Sequence, residues 1–335
     1  MSSHLNVPTK YWELTKEIPP PPVERDRKSW IIGNPSDPVW DIDVLPLTYS
    51  DSRWCAFVVR CSEASIRRLV PGPPLEPYPA KEGGDLVEFW YVIHNNTMLG
   101  PYLEFGVTIP AVFKGKDKEV KAGYYPYMYL TGDAPVDAGR VLGFPKKMSF
   151  IRCTEHGGER ATERGHKTNV GNDFFSFAMT RNGYLLHSAT GRYDDKDVPA
   201  PVFYGKTDWG RFNMKVITEP DVSASKWQLT HLPSTSPFLT SLGVKGHRFM
   251  LKPESIRKAS GGSIDWFLQA TPFDNMGAEL EILEVLGLIS FTFDLIIPPA
   301  EILWEETYER PASWRGFATP YKYGLRQQFP IHQGS

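Results

Sequence analysis

The sequence predicts a strand-dominated α+β fold. The segments Leu86–His94 and Leu103–Ile109 place apolar residues at alternate positions, which is the period of a β-strand. The 30 prolines and 28 glycines among 335 residues favour many turns and short strands over long helices. We therefore expect a sheet-rich protein with a few short helices.

The composition narrows the class of protein and its partners. A hydrophobic content of 41% and a charged content of 23% are those of a globular chain with an ample core. The net charge of -2 gives no electrostatic reason to expect nucleic acid or an anionic membrane as a partner, and no apolar run approaches a membrane span. The three cysteines are an odd number without paired spacing, which favours reduced thiols and a cytoplasmic location.

Three regions are expected along the chain. Residues 1–45 form a proline-rich arm, in which four consecutive prolines predict a stiff, extended segment. Tryptophans in this arm indicate that it packs on the body of the protein or on a neighbouring subunit. Residues 46–310 are expected to form a single domain, and residues 311–335 a C-terminal tail.

The first half of the domain contains most of the predicted strands. Trp54–Val59 is a strand, and Ser62 is a predicted N-cap of a short helix that ends before Pro71. The alternation in the next strand places Glu88, Trp90 and His94 on one face. Further elements are expected in this order: a strand at Leu103–Ile109, a charged loop at Lys114–Lys121, a strand at Tyr124–Leu130, a turn at Gly132–Pro135 and an apolar strand at Met148–Ile151.

The second half is harder to divide. Phe174–Met179 and Leu185–Arg192 form a predicted hairpin around an Asn-Gly turn. The remaining predictions are short strands near Val202 and Trp227, a helical turn at Pro253–Ala259, a strand at Ile264–Ala270, and a short helix with a long strand within Leu280–Ile297.

Two adjacent lysines, Lys146 and Lys147, are the strongest chemical signal. They follow Phe144 and Pro145 directly. A lysine must be neutral to attack a carbonyl group and form a Schiff base. A like-charged neighbour and the loss of water against apolar side chains both favour the neutral form. The pair therefore indicates a nucleophilic lysine, although a solvated basic pair after a turn is the commoner meaning of two adjacent lysines.

The segment Gly139–Met148 resembles the active-site signature of the acetoacetate decarboxylase family. The resemblance extends to Gly100–Gly106 and Tyr124–Leu130 upstream and to Phe293–Leu303 downstream, and it covers roughly residues 47–308. It implies an open β-barrel or cone of mainly antiparallel sheet. It also implies a cofactor-independent lyase, without a metal, that acts on a small-molecule keto substrate as a homo-oligomer.

The resemblance also implies roles for individual residues. Lys146 would form the imine, Lys147 would activate it, and Glu104 would hold the substrate or move protons. Further candidates for substrate binding are Tyr102, Trp90, Glu88, Arg53 and Phe144.

Several positions differ from the family pattern. Ser52 takes the position of the family's arginine, with Arg53 next to it, and a shift of one residue in a strand turns a side chain to the other face. Trp90 takes the position of a second glutamate, with Glu88 two residues away. The signature is one residue shorter before the lysines. These differences predict weak turnover of acetoacetate and a bulkier keto substrate.

The reaction itself stays open at this stage. An imine on a lysine serves decarboxylation, aldol condensation with dehydration, and retro-aldol cleavage equally well. A cyclase that forms no imine, and a binding protein without catalytic activity, are alternatives on the same fold. The histidines show no zinc spacing, so no metal site is expected.

Overall fold

A computed structural model describes residues 46–155, 173–204, 209–220, 223–235 and 249–309 of the protein. The predicted arm at 1–45 and the predicted tail at 311–335 lie outside the described residues.

Strands account for most of the described chain, and the strand-dominated prediction is confirmed. The strands are β1 Leu47–Cys61, β2 Leu75–Pro77, β3 Leu86–Thr97, β4 Tyr102–Lys114, β5 Glu119–Leu130, β6 Lys146–Met148, β7 Phe150–Glu155, β8 Phe174–Arg181, β9 Tyr184–Arg192, β10 Gly210–Thr218, β11 Ala224–Leu232, β12 Phe249–Ser260, β13 Ile264–Leu268, β14 Ile282–Ile297 and β15 Glu301–Glu309. The helices are α1 Glu63–Leu69, α2 Asp133–Val141 and α3 Met276–Glu279, with 3-10 turns at Ala80–Glu82 and Gly261–Ser263. Among the described residues, no helix combines the length and the hydropathy needed to span a membrane.

The described strands form two sheets. The larger sheet has 11 strands, and its main path runs β12-β14-β1-β3-β4-β5-β10-β11-β15. β2 pairs with β4, and β6 pairs with β5. The pairs β5–β6 and β5–β10 are parallel, and the other pairs of the larger sheet are antiparallel. The smaller sheet has the order β13-β9-β8-β7.

The larger sheet is buried on both faces. On one face, Phe57 of β1 meets Phe175 and Phe177 of the smaller sheet, with ring centroids 5.8 Å apart in both pairs. On the other face, Trp54 stacks on Trp90 at 4.7 Å. Strand residues alternate between faces, so β1, β3 and β4 supply side chains to both cores. The site described below lies in the second core.

Four local predictions are wrong. The segment Gly132–Pro135, expected to be a turn, leads into helix α2 and forms its first turn. Pro135 is tolerated there because the amides of the first helical turn have no partner within the helix. Pro253–Ala259 belongs to edge strand β12, where the pairing with β14 is interrupted and a proline is tolerated. Val202 lies in a turn, where a short strand was expected. The helix expected within Leu280–Ile297 is α3, and it ends just before that segment.

A histidine is buried in the core between the two sheets. Nδ1 of His187 lies 2.6 Å from the hydroxyl of Tyr91, and aromatic rings surround the imidazole. Burial lowers the pKa of His187 to about 3. In the unfolded chain the imidazole takes up a proton below its ordinary pKa near 6.5, so this residue makes the protein lose stability as the pH falls from about 6.5 toward 3.

Replacing this histidine should reduce the loss of stability in acid. We use His187→Gln, whose amide still offers Tyr91 an acceptor, and expect it to be less stable than the unsubstituted protein at pH 7. The difference in free energy of unfolding between the two proteins should shrink by about 1.4 kcal/mol per pH unit below pH 6. Urea unfolding at pH 7, 6 and 5 measures this difference. A difference between the two proteins that stays constant with pH would contradict the account.

Candidate active site

A helix and a glycine turn position Lys146. Helix α2 ends at Val141, and the amide of Phe144 returns to the carbonyl of Gly139 at 3.1 Å. Gly143 allows this reversal because its φ of 95° is unfavourable for other residues. Nε of Arg140 then donates to the carbonyl of Lys146 at 3.1 Å. The signature therefore folds the start of β6 back against α2.

The close approach explains the first glycine of the signature. A Cβ atom at Gly139 would lie 2.3 Å from Cδ of Lys146 and 3.0 Å from its Nζ. Any side chain at residue 139 would occupy the space that the lysine side chain now fills.

The amine of Lys146 is buried among a carboxylate and aromatic rings. The residue is 5% exposed. Its Nζ lies 2.9 Å from Oε1 of Glu104, on β4. The same nitrogen is 5.3 Å from the ring centroid of Phe144 and 5.9 Å from that of Tyr102. Glu104 is the acidic partner of this buried amine.

Glu104 is the middle of a longer chain of polar groups. Its Oε2 lies 3.3 Å from Nε2 of His94, and Nδ1 of His94 lies 2.9 Å from the hydroxyl of Ser52. A carboxylate can only accept, so the histidine's Nε2 carries the hydrogen. Nδ1 of a neutral imidazole then accepts from the serine hydroxyl. Hydrogen bonds thus link Ser52, His94 and Glu104, and an ion pair links Glu104 to Lys146.

The chain fixes the ionisation of its central members. Burial lowers the pKa of His94, and the nearby ammonium of Lys146 lowers it further, although Glu104 opposes both. Burial alone would raise the pKa of Glu104, but the charge of Lys146 and the hydrogen bond from His94 outweigh it, so this pKa lies below its ordinary value. These directions favour a carboxylate at Glu104 with a neutral imidazole behind it.

A narrow cavity of about 60 Å³ opens above this chain. Aromatic side chains form much of its wall, namely Trp54, Trp90, Tyr102, Tyr125, Phe144 and Phe293. Tyr125 faces the cavity because β5 contains a bulge, where Tyr125 and Pro126 together oppose Thr108 of β4. Arg211 of β10 also lines the cavity.

Five of the predicted site residues line this cavity. They are Lys146, Glu104, Tyr102, Trp90 and Phe144. Glu88 lies one layer behind, where its Oε1 accepts hydrogen bonds from Nε1 of Trp54 at 2.9 Å and from the hydroxyl of Tyr204.

Lys147 and Arg53 lie on the other face of the larger sheet. Lys147 follows Lys146 in a strand, so its side chain points the opposite way. Its Nζ lies 3.2 Å from Oδ2 of Asp274 and 5.5 Å from the ring centroid of Tyr129. Like-charge activation of one lysine by a neighbour beside it therefore has no geometric basis here.

Arg53 faces away because of where β1 bulges. The pairing of β1 is irregular between Tyr49 and Ser52, and Asp51 has a φ of 52°. This bulge brings Tyr49, Ser52 and Trp54 to the cavity side, and alternation turns Arg53 away from it.

The sequence analysis did not select several site residues. His94 was placed on the correct face of its strand, but its partners Ser52 and Glu104 are 42 and 10 residues away. Arg211 comes from a stretch without a clear period. In the sequence, His94 was indicated only by its position on the same face of the strand as Trp90.

A family model described as acetoacetate decarboxylase matches residues 35–307. The chain belongs to the acetoacetate decarboxylase family. The resemblance of its lysine signature to that family is thereby confirmed.

Similar proteins of this family come from several bacteria. "Acetoacetate decarboxylase 3" of Mesorhizobium japonicum is 31% identical over 114 residues, and "Acetoacetate decarboxylase 1" of Bradyrhizobium diazoefficiens is 32% identical over 129 residues. These matches cover 33% and 38% of this chain, and 41% and 46% of the two relatives. The chain thus matches less than half the length of either relative.

Solved structures of the family share the fold. An acetoacetate decarboxylase from Legionella pneumophila has a TM-score of 0.59 at 18% identity, over 78% of this chain and 88% of that chain. The enduracididine biosynthesis enzyme MppR, complexed with the condensation product of pyruvate and imidazole 4-carboxaldehyde, has a TM-score of 0.57 at 16% identity, over 77% of this chain and 88% of that chain. The predicted fold class is confirmed by these similarities.

Adding one methyl group at Gly139 should displace the amine of Lys146. We expect Gly139→Ala to reduce imine formation by at least about tenfold, since a displacement of about 1 Å suffices for such losses. The thermal midpoint should not fall, because alanine favours a helix by about 1 kcal/mol over glycine. Gly262→Ala, where a Cβ meets no atom within 4 Å, is the matched control. Unchanged imine formation in Gly139→Ala would contradict the account.

Removing Lys147 should affect stability more than chemistry. Asp274, whose side chain is 1% exposed, would lose one partner, and we expect Lys147→Met to cost about 1–2 kcal/mol in urea unfolding. The pH midpoint for imine formation should stay the same, because Lys147 faces the other core. A midpoint that rises by a full pH unit would show that the two lysines interact across the sheet.

Proposed function

We propose that the protein is a lyase that forms a Schiff base between Lys146 and a keto substrate. One observation carries the proposal: the buried Nζ of Lys146 lies 2.9 Å from Glu104 at the wall of an aromatic cavity. Membership of the acetoacetate decarboxylase family supports it. MppR, a structural neighbour, has been solved with pyruvate, which is itself a keto compound.

The first step is a proton transfer within the chain of polar groups. Glu104 takes a proton from the ammonium, which leaves a neutral amine and a neutral carboxyl group. The two groups are already at hydrogen-bond distance, so no rearrangement is needed. His94 stays neutral and continues to donate to the second oxygen of Glu104.

The amine then attacks the carbonyl carbon. The carbonyl oxygen becomes a hydroxyl group, which Glu104 protonates so that it leaves as water. The product is an iminium ion on Nζ, and the carboxylate is restored. The iminium draws the electron pair of a neighbouring bond, so that a carbon–carbon bond can break to give an enamine.

The cavity favours one manner of binding. A carbonyl group that reacts with Lys146 would lie near the rings of Phe144 and Tyr102, whose centroids are 5.3 and 5.9 Å from its Nζ. The rest of the substrate extends along the aromatic wall toward Arg211, which is only partly buried. We therefore infer a substrate that is longer than acetoacetate and whose far end lies toward Arg211.

Borohydride trapping tests the proposed function. We expect 2-hexanone with borohydride to leave one stable adduct per chain, mapped to Lys146 by peptide mass. Lys146→Arg should abolish the adduct, because a guanidinium stays protonated and forms no imine. Glu104→Gln should slow its formation by about 10²-fold or more.

Lys147→Arg is the matched control, since this side chain lies on the opposite face and the adduct should persist. An adduct that survives Lys146→Arg and disappears in Lys147→Arg would show that Lys147, and not Lys146, is the nucleophile. No adduct in the unsubstituted protein would refute the proposed function.

A further inference from the structure

Arg211 is a cation in the cavity with no acidic partner within salt-bridge distance among the described residues. Its NH1 donates to the carbonyl of Gly210 at 3.0 Å. Its Cζ lies 5.7 Å from the ring centroids of both Tyr125 and Phe203. Stacking of this kind holds the planar guanidinium in place while it leaves most of its hydrogen-bond donors free.

The buried acid on this side of the sheet does not occupy the guanidinium. Oε1 of Glu88 accepts from Trp54 and Tyr204 instead. The charge of Arg211 acts on Glu88 over a longer distance, where it only partly offsets the effect of burial, which raises the pKa of this carboxyl. Balancing Glu88 therefore does not account for the position of Arg211 in the cavity wall.

The sheet sets the separation between Arg211 and Lys146. Strands β10 and β6 both pair in parallel with β5, with Arg211 opposite Gly123 and Lys146 opposite Met128. Five residues of a strand span about 16 Å, and the bulge in β5 shortens this to roughly 13 Å. The two backbones therefore stand well apart along one wall of the cavity.

The side chains of the two cations converge over adjacent rings. Lys146 lies over Phe144, Arg211 lies over Tyr125, and the two ring centroids are 5.9 Å apart. A molecule held by both cations lies along these two rings. The carboxylate of an α-keto or β-keto acid is only one or two bonds from the carbonyl carbon, so it would stay beside the imine, near the first of these rings.

We propose that Arg211 binds a carboxylate at the end of the substrate remote from the carbonyl group that reacts with Lys146. This inference rests on the proposed function. The substrate class is a keto acid with at least three carbons between its carbonyl and carboxylate carbons. The carboxylate is an anchor that stays in the product. A C–H bond on the carbon next to the iminium breaks, Glu104 accepts the proton, and the electron pair of that bond forms the enamine. Bidentate pairing of guanidinium and carboxylate supplies the recognition.

A matched pair of ligands tests the inference. The probes are 5-oxohexanoate and its methyl ester, which differ only in the charge at the remote end, and the readout is the half-saturating concentration for the borohydride adduct. We expect the acid to saturate at a concentration at least tenfold lower than the ester. Arg211→Gln should remove this preference and leave the ester unchanged, while Arg211→Lys should keep part of it.

Arg192→Gln provides the matched control, because it removes the same charge from an exposed position on the smaller sheet. It should leave the preference for the acid intact. Pyruvate and acetoacetate, compared in the same variants, should show little dependence on Arg211.

Three outcomes would overturn the inference. In the first, Arg211→Gln weakens acid and ester equally, which is a structural effect. In the second, Arg211→Gln changes neither. In the third, only pyruvate or acetoacetate depends on Arg211, which places the carboxylate next to the imine. If neither probe is trapped by the unsubstituted protein, the proposed function fails. Calorimetric binding of the same acid and ester to the unsubstituted protein and to Arg211→Gln then decides the role of Arg211 by itself.

Discussion

The buried ion pair between Lys146 and Glu104 is the interaction on which the rest of the site depends. Removing both charges from water costs several kcal/mol per ion, and a folded protein keeps such a pair only when further hydrogen bonds support it. His94 and Ser52 provide that support for Glu104. The aromatic rings around the amine exclude water without offering an alternative partner. The arrangement holds the amine of Lys146 directly beside a buried carboxylate.

Irregular backbone segments surround the same ion pair. Bulges in β1 and β5 turn Ser52 and Tyr125 toward the cavity, and the turn at Gly143 brings Lys146 close to Gly139. Regular strands would have directed these side chains elsewhere. Each irregularity therefore serves the geometry around one amine.

Alternation in β6 divides the two lysines of the signature between two chemical environments. Lys146 enters the core that contains the cavity, and Lys147 enters the core between the sheets, where it pairs with Asp274. Lys147 and Asp274 attach β6 to the loop before α3. The second lysine thus forms an ion pair on the opposite face of the strand, away from the amine that the sequence resemblance would have it activate.

Local patterns predicted the parts of the molecule that depend on local order. The strands β3, β4 and β5 follow from alternation, and Ser62 caps α1 as its position before the helix indicated. Helix α2 was missed because Pro135 and Gly139 resemble turn residues. Arg53 stayed a candidate because it adjoins Ser52 and a bulge could have turned it inward; the bulge lies at Asp51, before it, and Arg53 keeps the outward face that alternation indicated. The chain from Ser52 to Lys146 joins four strands, β1, β3, β4 and β6, so no window of the sequence contains it.

The most direct measurement is a crystal structure of the protein after borohydride reduction with 5-oxohexanoate. The account predicts continuous density from Nζ of Lys146 along the rings of Phe144 and Tyr125, with the carboxylate at Arg211 and Glu104 beside the new bond. Covalent density on Lys147, or a ligand bound in the cavity without any bond to Lys146, would contradict it.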